Sequence, residues 1–160
     1  MVESPLSRLS PSGRNHSRMA WMLPPLLLLF GFCQEPASGS LEVKNARMPV
    51  PVHSRTAAVY LEIMNSRADS LELVSLSSDI SDSAEIHETV EEQGMIRMKS
   101  LDSLRILPGE LTMKPGGLHI MLKDLHSMPA AGDEIGLTLH FRNEPDLQIQ
   151  VRVVPAAELL

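Results

Sequence analysis

The sequence predicts an all-β domain, an antiparallel sandwich or barrel. Three observations lead there. From residue 40 onward, short apolar runs recur with period two rather than 3.6. Breaks rich in Gly, Pro, Asn and Asp separate these runs at short intervals. The 160 residues are 43% hydrophobic and 21% charged, an ordinary globular composition that excludes a fully disordered chain.

Taken in order, the runs are Ala57 to Ile63, Leu71 to Leu76, Ala84 to His87 and Met95 to Met98, then Leu111 to Met113, Leu118 to Leu122, Ile135 to Phe141 and Leu147 to Val153. The breaks fall at 65–69, Gln93-Gly94, Pro108-Gly109, Pro115-Gly116-Gly117, Ala131-Gly132-Asp133 and 143–146. A hairpin is expected around Glu92-Gln93-Gly94. No segment repeats at a fixed period, and residues 155–160 read as a short C-terminal tail.

Residues 1–39 read as a secretory signal peptide. Arg8, Arg14 and Arg18 precede an apolar run from Met19 to Cys33, and small residues follow at Ala37, Ser38 and Gly39. The run is shorter than the roughly 20 residues that span a bilayer, and Pro24-Pro25 interrupts it. The expected organisation is a signal peptide over 1–39, cleaved near Gly39, and one domain over 40–154. Cys33 allows lipidation, and so membrane attachment, as a variant, although Phe32 is a poor residue to precede a lipidated cysteine. Removing 1–39 takes three arginines and two glutamates from the 14 basic and 20 acidic residues, leaving 11 and 18, a net charge of −7.

That charge argues against nucleic acid as a partner. Beyond residue 39 there is no cysteine, hence no disulfide and no thiolate site. Seven methionines and five histidines remain. Thioether and imidazole are donors that suit Cu(I). No phosphate loop, nucleophile elbow or zinc-protease helix signature is present, so no enzymatic activity is expected.

The most informative segment is His119-Ile120-Met121, because residues i and i+2 of a strand share a face. Ten residues, Glu88 to Arg97, separate His87 from Met98 across the expected hairpin, which would bring the two to neighbouring positions on paired strands. His126-Ser127-Met128 repeats the spacing in a polar loop and is an auxiliary candidate. His53 reads as a loop residue, His140 as structural, Met113 and Met64 as core, and the acidic pairs Glu91-Glu92 and Asp133-Glu134 as solvated turns.

His87, ten residues, Met98, twenty residues, then His119-x-Met121 resembles the motif of the periplasmic PCuAC-type copper chaperones, with the second spacer one residue shorter. Asn45 to Pro49, Ala57 to Leu61, Lys114 to Gly117 and Ala131 to Asp133 extend the resemblance over residues 41–154. The resemblance implies a cupredoxin-like Greek-key β-sandwich or barrel and a Cu(I) site of His87, Met98, His119 and Met121 near the surface at one end. The extra methionine that some members carry just after the first histidine is absent here, where Glu88 and Thr89 stand. With no His- and Met-rich tail before Leu160, a single Cu(I) site is expected. It further implies a periplasmic chaperone for cytochrome c oxidase CuA-centre assembly, with oxidase subunit II and Sco-type proteins as partners. An exported β-sandwich interaction module, or a copper storage or resistance protein using the same site, are the alternative expectations.

Overall fold

The computed structural model describes residues 39–52 and 55–159. Residues 1–38, which hold nearly all of the segment read as a signal peptide together with Cys33, lie outside the described residues, as do His53, Ser54 and Leu160.

Among the described residues ten strands follow one another: β1 (Leu41–Pro49), β2 (Ala57–Asn65), β3 (Leu71–Ser78), β4 (Ser81–Glu92), β5 (Met95–Leu101), β6 (Leu104–Ile106), β7 (Gly109–Met113), β8 (Leu118–Leu125), β9 (Glu134–Phe141) and β10 (Leu147–Val154). A 3-10 turn over Ala156–Leu159 ends the described chain. Seven strands pair in the order β4-β8-β2-β1-β10-β9-β3, and pairing of β3 with β4 closes the ring. The expected β-barrel is therefore present, but it is mixed rather than purely antiparallel, because β1 runs parallel to β10. β5 extends the sheet beside β4, β6 lies beside β3, and β7 continues along β2 beyond the end of β8.

All eight runs read from the sequence lie within strands. β1 and β6 escape period-two reading for different reasons. β1 is interrupted by a bulge between Lys44 and Arg47, with Asn45 at a φ of 52°. β6 has only three residues. β4 is far longer than its apolar run, because its second half carries no buried residue and leaves the barrel as a two-stranded ribbon with β5. A two-residue turn of Gln93 (φ 54°) and Gly94 (φ 76°) joins the ribbon, both in the left-handed region that such a turn requires.

Alternation on β2 shows how the core is built. Val59, Leu61 and Ile63 are buried, while Ala58, Tyr60, Glu62 and Met64 are half-buried on the outer face. Met113 is core as expected, whereas Met64 is not, since its neighbour Ile63 takes the inward position. Ile86 on β4 and Ile120 and Leu122 on β8 complete the wall from inside. Each such side chain contributes about 1.5–3 kcal/mol by leaving water. Burying them turns the intervening residues of β4 and β8 outward.

Candidate metal centre

β4 and β8 pair so that His87 stands directly opposite His119, and Glu85 opposite Met121. With Ile86 and Ile120 pointing into the core, all four of these residues face outward. β5 adds Ser100 opposite His87 and Met98 opposite Thr89. The four candidate ligands therefore share one outer face across three strands. His87, His119 and Met121 form a compact patch, and Met98 stands at its rim, 62% exposed on the ribbon. Met98 is a diagonal neighbour of His87 rather than an adjacent one, because the two-residue turn pairs it with Thr89. Met98 and Met121 occupy opposite corners of the patch, roughly 16 Å apart between Cα atoms on a flat sheet. A shared ion requires both thioethers to lean over the histidine pair.

The two imidazole centroids are 5.8 Å apart and the rings are tilted by 60°. Two imidazoles sharing one ion at metal–nitrogen distances of about 2 Å have centroids roughly 5–6 Å apart. Each ring also has one nitrogen already committed. His119 Nδ1 lies 3.0 Å from the Gly117 carbonyl oxygen, which can only accept, so Nδ1–H donates and Nε2 carries the lone pair. His87 Nε2 lies 2.9 Å from Glu85 Oε2, so Nε2–H donates and Nδ1 carries the lone pair. His87 Nδ1 is buried and has no hydrogen-bond partner among the described residues. Leaving such an atom unmatched costs about 1–3 kcal/mol. A soft cation would match it, and the two imidazoles and two thioethers are the donor set that suits Cu(I).

Glu85, Gly117 and Tyr60 support this patch, and reading the sequence missed all three. The Tyr60 ring lies 6.3 Å from that of His119, and burial pushes its phenol pKa up. Hydrogen bonds from His87 and then Lys123 hold the Glu85 carboxyl down at about 2. The signal for Glu85 was available, since Glu85-x-His87 has the same two-residue spacing as His119-x-Met121. No local signal marks Tyr60 or the Gly117 carbonyl.

The remaining candidates lie elsewhere. His126 is hydrogen-bonded to Asp82 at 2.6 Å, beyond the far end of β8 and roughly 20 Å along the strand from His119. His140 is tied to Ser77 and Asp146, each at 2.9 Å, as a structural residue would be. Glu92 pairs with Lys99, and Asp133 accepts from the Ala130 backbone within its turn. Among the described residues, no three His, Cys, Asp or Glu side chains gather as a metal cluster.

Solved PCuAC domains share this closed seven-strand barrel with its added strands. The copper-bound PCuAC domain from PmoF2 superposes with a TM-score of 0.62 at 23% identity, covering 75% of this chain and 97% of that one. The Cu(I) form of DR1885 from Deinococcus radiodurans gives 0.59 at 23% identity, covering 78% and 83%. By sequence, the chain belongs to the LpqE-like family, described as "Putative lipoprotein LpqE-like", whose model matches residues 41–153. Protein RP573 of Rickettsia prowazekii, itself uncharacterized, is 34% identical over 112 residues, or 68% of this chain. The chain spans 62% of that relative's length. The resemblance read from the motif is thus borne out for family and fold, and the lipoprotein description points to an exported protein.

Proposed function

We propose that this protein is an exported copper carrier that binds one Cu(I) through His87, His119, Met121 and Met98. The observation that carries this reading is the opposed His87–His119 pair, in which each ring has one N–H engaged and one nitrogen left bare. Copper-bound relatives of the same fold support it. The ligands are neutral and include no thiolate, so the site favours the cuprous ion over the cupric one.

Copper here is cargo, and no covalent reaction is involved. His87 and His119, braced on paired strands, keep their place while copper enters or leaves. Met98 lies on the exposed ribbon, where a thioether can be displaced by an acceptor's ligand one donor at a time. Transfer is thus a ligand exchange. The acceptor we propose is the dinuclear copper centre of cytochrome c oxidase subunit II, alongside Sco-type thiol proteins, in the periplasm. Membrane attachment follows only if Cys33 is lipidated, which mass spectrometry of the exported protein decides.

X-ray absorption of the copper-loaded protein tests the site. The expected result is one Cu(I) per chain with both nitrogen and sulfur neighbours. A copper shell without sulfur overturns the ligand set. Failure of the loaded protein to transfer copper to the subunit II domain overturns delivery while leaving storage by the same ligands.

A further inference from the structure

We propose that Glu85 is a positioning residue for the copper site, fixing His87 in the tautomer that leaves Nδ1 bare for the metal. The inference deepens the copper-carrier reading and rests on it. Glu85 precedes His87 by two residues on β4, shares its outward face and stands opposite Met121. Its Oε2 accepts from His87 Nε2 at 2.9 Å and from Lys123 Nζ at 2.7 Å. Ser83 Oγ lies 3.3 Å from Oε1, and Ser100 Oγ 3.5 Å from Oε2. The carboxylate is therefore held by groups from β4, β5 and β8 before it meets the imidazole.

An ionised carboxylate only accepts hydrogen bonds. His87 must therefore carry its proton on Nε2, and the bare nitrogen is the buried, unpartnered Nδ1. The opposite tautomer would put a proton on Nδ1, where the described residues offer no acceptor, and set the Nε2 lone pair against the carboxylate. His119 is fixed the other way round by a backbone carbonyl. The site thus has one imidazole oriented by a side chain and one by the main chain. Groups that orient a ligand in this way are worth about 10- to 100-fold in metal affinity when removed.

The competing account is that Glu85 serves only its ion pair with Lys123. Long-range nitrogen–proton correlation spectra of the imidazoles separate the two, recorded on the metal-free full chain at a pH where the rings are neutral. We expect His87 to be protonated on Nε2 in the parent and to become a tautomer mixture in Glu85→Ala, with Cu(I) affinity in a chelator competition lowered about 10- to 100-fold. Glu85→Gln, whose amide oxygen still accepts, should keep the tautomer and much of the affinity. Lys123→Met should leave the tautomer unchanged. A parent protonated on Nδ1 overturns the inference even if Glu85→Ala fails to fold, as does a Glu85→Ala variant with unaltered tautomer and affinity. A parent that binds no Cu(I) sinks the carrier reading, while the metal-free spectra still decide what Glu85 does to His87.

Discussion

Replacing His119 by phenylalanine separates its metal-binding role from its structural one. The ring volume stays beside Tyr60 and His87, but the Nδ1–H donor and the Nε2 lone pair are lost. The Gly117 carbonyl keeps a second donor, the Thr89 backbone N–H at 3.2 Å. No carbonyl is therefore orphaned, and the metal-free protein should lose only about 1 kcal/mol, the ordinary net worth of one hydrogen bond. For a domain of this size that is a fall in melting temperature of roughly 3–6 °C. Copper acts on the two proteins very differently. With free Cu(I) buffered at about 100 times the parent's Kd, binding stabilises the parent by about 2.7 kcal/mol. A variant that binds 100-fold more weakly gains only about 0.4 kcal/mol under the same conditions. Thermal unfolding in a fixed cuprous buffer should therefore show a rise of roughly 8–16 °C for the parent and about 1–2 °C for His119→Phe. An equal copper-induced rise in both proteins would refute His119 as a ligand. A metal-free variant that no longer unfolds cooperatively would refute the assignment of a small structural role.

Met121→Leu conserves volume on the outer face and should cost under about 1.5 kcal/mol in the metal-free protein; X-ray absorption should show one sulfur neighbour fewer, and an unchanged sulfur count excludes Met121. Glu72 is held below its ordinary value of 4.5, first by its hydrogen bond from Arg142. Its contribution to stability is therefore present above that value and lost as pH falls below it. Melting curves of the parent and Glu72→Gln should differ at neutral pH and converge in acid, whereas a gap that persists would contradict this sign. Asn65 is buried, with its amide donating to the Asp69 and Ile106 carbonyls and its oxygen accepting from Arg67 N. Urea unfolding should show Asn65→Ala destabilised by about 1–3 kcal/mol, and no change in midpoint would contradict that tie.

Much of the barrel was legible because its signals are local. Alternation in Ala57–Asn65 and Glu134–Phe141 names which residues turn inward, and Gln93-Gly94 names the ribbon turn. Met64 was misread as core because an apolar side chain at a strand position says nothing about face until its neighbours are weighed. The candidate donors were legible too, since Met and His are conspicuous in a chain with no cysteine after residue 39, and His119-x-Met121 needs only strand geometry to share a face.

By itself, then, the sequence determined eight of the ten described strands, the turns between them and the chemical kind of site on offer. Only the tertiary structure decided that His87 meets His119 across β4 and β8, that β1 runs parallel to β10, and that Met98 stands at the rim beside Thr89. Pairing between distant strands is set by how the whole apolar set closes around a common interior, and a slip of one residue would turn every side chain of a strand to the other face. Local periodicity carries no record of that choice, nor of the Glu85 carboxylate and the Gly117 carbonyl that leave each imidazole one free nitrogen.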